Sequence, residues 1–146
     1  MMKRIFKISL MLLPMVLMSL VNTDPEPWKQ EQLMKPEELA KLLSDGDKTN
    51  DPVIFNIGPA GEIKGSLEIG FVNDSKGIKK LETNLKNIPK DKAIVLYCGC
   101  CPFEHCPNIR PAFTLLNKKK YKNHRLLDLP KNLKVDWIDK GFPMED

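Results

Sequence analysis

With 146 residues, of which 42% are hydrophobic and 29% charged, the chain is long enough for one domain and is neither disordered nor fibrous in composition. The formal net charge is +4, but three of the 23 basic residues precede residue 8, and the other 20 nearly balance the 19 acidic residues. Because the rest of the chain has almost no net charge, its electrostatics do not favour nucleic acid binding.

The first 23 residues have the pattern of a signal peptide. Lys3, Arg4 and Lys7 form a basic start, and residues 8–20 form an uncharged apolar run that is short for a bilayer span. We therefore expect residues 1–23 to direct export, so that the protein acts in the periplasm or outside the cell. No small-x-small motif marks a cleavage site, and an uncleaved segment would anchor the protein in the membrane.

Beyond residue 23, a spacer with two prolines over residues 24–34 leads into a single domain over residues 35–146. Helices are predicted from apolar residues three and four positions apart, and strands from short apolar runs. In chain order these patterns predict a helix over 36–44, a strand over 53–57, irregular structure over 58–70, a helix over 77–88, a strand over 93–97, a helix over 112–120, a strand over 125–127 and a helix over 132–140. Alternating strands and helices predict an α/β fold with a mostly parallel sheet flanked by helices on both faces.

All four cysteines lie between positions 98 and 106. A fold held together by disulfides would have cysteines throughout the chain, so this clustering indicates a site. Cys98 directly follows the strand predicted over 93–97, and sites in parallel sheets form at the carboxyl ends of strands. The N–H groups and the positive dipole end of the next helix would lower the pKa of a thiol there. We therefore predict that Cys98 is an exposed nucleophile, the alternative being a buried and inert thiol.

Arg110 stands near the start of the helix that follows the cysteine loop. The simplest interpretation is a surface residue, but a cation is unfavourable at the positive end of a helix dipole, so we expect a compensating anion beside it. The other polar and aromatic candidates are interpreted as loop, packing or turn residues: Glu104, His105, His124, Trp28, Phe55, Asn56 and Trp137.

Over residues 35–145, the order of elements resembles the rhodanese-like family. The matching pieces are the strand over 53–57, the glycine-containing segment 62–66, the Tyr-Cys strand end over 94–98, Trp137 and the Gly-x-Pro-x-Glu ending over 141–145. The chain departs from the family pattern in its loop, which is longer and carries three additional cysteines.

This resemblance implies a sulfurtransferase that needs no cofactor. Cys98 would take sulfur from a small sulfur-containing anion such as thiosulfate, hold it as a persulfide, and pass it to an acceptor thiol, to cyanide or to a partner protein. The resemblance also implies that the N–H groups of Gly99 and Cys100 cradle the persulfide and that Arg110 holds an anionic donor or product.

The cysteine-rich loop leaves other functions open. Cys98–Cys101 is also a C-x-x-C motif, so an exported thiol–disulfide oxidoreductase is an alternative. Resolution of the persulfide, or a disulfide that braces the loop, would use Cys100, Cys101 or Cys106. A further alternative is a zinc or Cu(I) module with ligands among Cys98, Cys100, Cys101, His105 and Cys106. Because one loop lacks the two separated cysteine pairs of typical zinc sites, we expect no metal.

Overall fold

The computed structural model describes residues 25–45, 49 and 51–145, so the predicted signal peptide lies outside the described residues. In chain order, these contain β1 (Leu33–Met34), α1 (Pro36–Ser44), β2 (Val53–Asn56), β3 (Ser66–Glu68), α2 (Ser75–Leu85), β4 (Ile94–Tyr97), α3 (Ile109–Lys118), β5 (His124–Leu127) and α4 (Leu133–Asp136). Short 3-10 turns occur at Gln30–Gln32, Phe103–His105 and Ile138–Lys140. No helix in the described part of the chain has the length and apolar character to cross a membrane.

The five strands form one sheet in the order β1-β5-β4-β2-β3, and every neighbouring pair is parallel. The central strand β4 is buried at all four positions, as expected for a continuous apolar run covered on both sides. Because all strands run in the same direction, their carboxyl ends lie at one edge of the sheet. The prediction of an α/β fold with a mostly parallel sheet is confirmed.

Helices pack on both faces of this sheet. Successive side chains of a strand point to opposite faces. Accordingly, Ile94 and Leu96 pack in an apolar cluster with residues of α2 and α3, whereas Val95 and Tyr97 pack in a second cluster with residues of α1 and α4. The position after Tyr97 belongs to the first face, and Cys98 is part of the α2–α3 cluster.

The helix bounds follow from local sequence signals. Helix α1 has the predicted bounds, with Pro36 in its first position and two glutamates in its first turn, where the dipole favours acidic residues. Helix α2 begins two residues earlier than predicted because the carboxylate of Asp74 accepts the Gly77 N–H at 2.8 Å and caps the helix. Helix α3 begins three residues earlier than predicted, and α4 ends at Asp136 before a 3-10 turn.

Two edge strands were missed by the sequence analysis. Strand β3 lies in the segment predicted to be irregular, because its residues are mostly exposed and Gly65 and Gly70, both with positive φ, flank it. Strand β1 has two residues and lies in the predicted spacer. That spacer also packs on the domain, since the ring of Trp28 lies 6.1 Å from that of Phe103.

The glycine-containing segment is held by the end of β4. The Tyr97 hydroxyl accepts the Ile63 N–H at 3.0 Å and donates to the Gly61 carbonyl at 3.0 Å. Burial raises the pKa of Tyr97, which keeps the hydroxyl protonated as this donor. The chain ending reaches the same segment, because the Glu145 carboxylate accepts the Gly65 N–H at 2.7 Å.

Candidate functional site

Cys98 lies directly after β4 and is packed against the end of the neighbouring strand. Its residue exposure is only 1%. Gly58 covers it so closely that a Cβ at position 58 would lie 2.3 Å from Cys98 Sγ and 2.7 Å from its carbonyl oxygen. Asn56 fixes this turn, because its side chain accepts the Gly58 N–H at 3.1 Å and donates to the Ala60 carbonyl at 2.9 Å. The predicted turn role of Asn56 is confirmed, whereas the prediction that Cys98 is exposed is wrong.

Three of the four cysteines converge. The sulfurs of Cys98, Cys100 and Cys106, which we call the thiol cluster, all lie within 4.8 Å of one another. Cys98 Sγ and Cys100 Sγ are 3.3 Å apart. Cys101 Sγ lies 3.4 Å from Cys100 Sγ but outside the cluster. All four are free thiols.

The loop backbone brings these sulfurs together. Gly99 has a φ of 73°, a left-handed conformation that glycine adopts without strain, and a Cβ there would lie 2.8 Å from the Cβ atoms of Ala60 and Leu133. The Gly99 carbonyl also accepts the Leu133 N–H at 2.9 Å. After this turn, the 3-10 turn Phe103–His105 returns the chain, so that Cys106 lies beside Cys98.

Asn108 is a site residue that the sequence analysis did not identify. It is 1% exposed, and its Oδ1 accepts the Val72 N–H at 2.9 Å. Because this bond fixes the orientation of the amide, its Nδ2 is the atom that faces the sulfurs, 3.4 Å from Cys98 Sγ and 3.8 Å from Cys106 Sγ. The sequence feature that could have identified it is a polar residue between the last cysteine and the helix, at the N-cap position of α3.

Cys106 is the thiol of the cluster whose surroundings favour the thiolate. The neighbouring Cys98 thiol and the backbone N–H and side-chain amide of Asn108 lower the pKa of Cys106 to about 6 despite its burial. The pKa of Cys98 is raised, because its proton is shared with Cys106 and because it is buried. Burial and the neighbouring thiols raise the pKa of Cys101 to about 12.

The predicted lowering of the Cys98 pKa is therefore wrong. The prediction assigned the N–H donors at the start of the following helix to the first cysteine of the loop. The structure places them at the last one, since Cys106 precedes the N-cap Asn108 by two residues. Cys98 reaches those donors only through the Asn108 side chain.

Arg110 has its compensating anion in the Glu26 carboxylate, with which it forms an ion pair, and its guanidinium lies 5.5 Å from the centre of the Trp28 ring. The expectation of a neighbouring anion is confirmed. Its side chain is 44% exposed, and its polar contacts in the described residues are with the segment before β1. A role in holding a substrate anion stays a prediction.

The remaining candidates are structural or exposed. Glu104 and His105 are exposed, and His105 does not join the thiol cluster. His124 is buried at the start of β5, where its Nε2 lies 2.9 Å from Asn117 Oδ1 and burial lowers its pKa. Phe55 and Trp137 are fully buried, as expected for packing residues.

Comparison with known proteins adds no assignment. The chain matches no protein-family model, and a search of curated proteins finds no significant relative. The resemblance to the rhodanese-like family therefore depends on the residues themselves.

Proposed function

We propose that this protein is an exported, rhodanese-like sulfurtransferase that carries sulfur as a persulfide on Cys98. The observation that carries the proposal is the position of Cys98 at the carboxyl end of the central strand, with the Cys106 sulfur placed to accept its proton. A nucleophile activated by a neighbouring base is the usual arrangement for covalent catalysis.

Transfer proceeds in two displacements that need no oxidant. As the Cys98 sulfur attacks the outer sulfur of thiosulfate, its proton passes to the Cys106 thiolate in the same step. The S–S bond of thiosulfate breaks, and sulfite leaves with the bonding electron pair. An acceptor thiolate or cyanide then attacks the outer sulfur of the persulfide, and Cys98 leaves as the thiolate and regains its proton from Cys106. Because Cys98 has the higher pKa, Cys106, which is largely deprotonated at neutral pH, accepts the proton only as the new S–S bond forms.

One hydrogen-bond donor contacts the sulfur on which a persulfide would form, and two N–H groups follow it in the chain. The Asn108 amide already donates to Cys98 Sγ at 3.4 Å. The N–H groups of Gly99 and Cys100 donate no backbone hydrogen bond within the described residues. Such donors stabilise an anion in a buried site. They support the predicted cradle.

The segments that carry the family resemblance also contact one another. Ile63 and Met144 form an antiparallel bridge between the glycine-containing segment and the chain ending. The indole N–H of Trp137 donates to the Pro143 carbonyl at 3.0 Å. The matching pieces therefore pack together, which supports the resemblance.

A thiol–disulfide function is favoured by a separate observation. The sulfurs of Cys98 and Cys100 are 3.3 Å apart, and Cys100 is exposed. A Cys100 thiolate could attack Cys98 Sγ of the persulfide, form a Cys98–Cys100 disulfide and release hydrosulfide. An external dithiol would then reduce the disulfide.

Intact mass spectrometry after thiosulfate treatment separates these functions. Sulfurtransfer predicts the gain of one sulfur atom by the wild type and by Glu104→Gln, at an exposed position of the same loop, and no gain by Cys98→Ser. A gain that persists in Cys98→Ser would contradict the proposal. Loss of two hydrogens without sulfur gain would favour disulfide exchange.

A further inference from the structure

The thiol cluster has the geometry of a metal site. Its three sulfurs lie within 4.8 Å of one another without any disulfide. Metal–thiolate bonds are about 2.3 Å long, so three sulfurs in a plane around one ion lie about 4 Å apart. The free thiols need only small side-chain movements to reach that separation, since Cys98 Sγ and Cys100 Sγ are now 3.3 Å apart and no pair is more than 4.8 Å apart.

The number of ligands distinguishes between metals. Within the described residues, no fourth cysteine, histidine or carboxylate joins the three sulfurs. Cys101 lies outside the group, and His105 is exposed. Structural zinc sites take four protein ligands, and zinc sites with three protein ligands and a water include histidine, whereas three soft thiolates without a nitrogen or oxygen ligand suit Cu(I). We propose that the thiol cluster binds one Cu(I) ion through the sulfurs of Cys98, Cys100 and Cys106.

The surroundings of the cluster fit an anionic copper–thiolate centre. Three thiolates and one Cu(I) carry a net charge of −2, which must be offset in a buried site. The Asn108 side-chain amide is within hydrogen-bond distance of the sulfurs of Cys98 and Cys106. Groups that hydrogen-bond to metal ligands fix their orientation and tune affinity. Cys100 is exposed, which gives an incoming ion access to the two buried sulfurs.

The copper proposal does not depend on the proposed sulfurtransfer, but both would use the Cys98 sulfur. Each coordinating thiol loses its proton to solvent, and Cu(I) keeps its oxidation state, so no redox partner is needed. Once bound to copper, the Cys98 sulfur is no longer free to attack a sulfur donor. Copper would therefore block persulfide formation.

The test is an anaerobic titration of the reduced protein with Cu(I) in competition with a chromophoric Cu(I) chelator. We expect one Cu(I) per chain and three sulfur neighbours by X-ray absorption. Glu104→Gln, at an exposed position of the same loop, is the control and should bind as tightly as the wild type. Cys100→Ser, at an exposed position that tolerates substitution, should bind at least about tenfold more weakly, and Asn108→Asp about tenfold more weakly.

Several results would overturn the inference. These are no Cu(I) retained against the chelator, equal affinity in Cys100→Ser, or a fourth sulfur ligand supplied by Cys101. Tighter binding of Zn(II) with four ligands would also contradict it. Sulfur loading is read separately by mass, so lost copper binding with intact sulfur loading rejects the copper site alone. The opposite result rejects only the sulfurtransferase.

Discussion

The two buried cysteines of the thiol cluster belong to different kinds of structure. Cys98 ends the central strand, where the sheet fixes its position and Gly58 and the apolar α2–α3 cluster limit its solvation. Cys106 precedes α3, where N–H donors stabilise a negative charge. One position supplies a rigidly placed sulfur and the other supplies the charge. In the proposed mechanism, Cys98 is the nucleophile and the neighbouring Cys106 thiolate is its base.

The largest effect is expected from removing the charged partner. In Cys106→Ser the base is lost, so the rate of sulfur loading on Cys98 should fall about a hundredfold at neutral pH. A base works when deprotonated, so the wild-type rate should rise with pH through about 6 and be lost below it. Rates from quenched mass spectrometry across pH test this. A Cys106→Ser profile unchanged from the wild type would show that Cys106 is not the base for Cys98, and would contradict the prediction.

The next effect is expected from disturbing the strand end. In Gly58→Ala the new Cβ would collide with Cys98 Sγ and its carbonyl oxygen, so the free energy of unfolding should fall by about 1–3 kcal/mol. Gly61→Ala is the matched control, because its Cβ would lie 3.2 Å from the flexible Met144 methyl and at an ordinary contact distance of 3.9 Å from Leu133 Cδ2. Urea denaturation of both variants measures the difference. Equal stability would show that the contact at Cys98 is not tight.

A smaller effect is expected from changing Asn108, at the start of α3. Asn108→Asp keeps an acceptor for the Val72 N–H but replaces the amide donor with a carboxylate that repels the thiolate. The pKa of Cys106 should therefore rise, and sulfur loading at neutral pH should fall about tenfold. Ultraviolet titration of the thiolate follows the pKa. A lowered pKa would show that the amide does not stabilise the charge.

The smallest effect on stability is expected at Arg110. Its ion pair with Glu26 is about half exposed, and such pairs contribute about 0–1 kcal/mol. Arg110→Ala should therefore change the free energy of unfolding by no more than this. If Arg110 also holds the sulfur donor, the KM for thiosulfate should rise while kcat stays unchanged. An unchanged KM would leave Arg110 as a surface residue.

The sequence predicted those parts of the fold whose signals are local. Strand β4 was predicted because its apolar run is continuous, and α1 because Pro36 and its acidic first turn mark its start. Strands β1 and β3 were missed because they are two and three residues long and lie at the sheet edges. Edge strands this short carry no detectable periodicity.

For the site, the sequence predicted the place but not the electrostatics. Clustered cysteines after a strand were sufficient to locate Cys98. The return of Cys106 depends on the 3-10 turn Phe103–His105 and on the conformation of Gly99, which periodicity does not encode. The orientation of Asn108 depends on Val72, which is 36 positions away in sequence. Neither contact can be read from neighbouring residues.

The most direct test of the central claim is to locate the persulfide. After treatment with thiosulfate, the wild-type protein is alkylated, digested and sequenced by mass spectrometry. We predict that the added sulfur lies on Cys98 in the wild type and in Glu104→Gln. Added sulfur on Cys106, with Cys98 alkylated as a plain thiol, would contradict it.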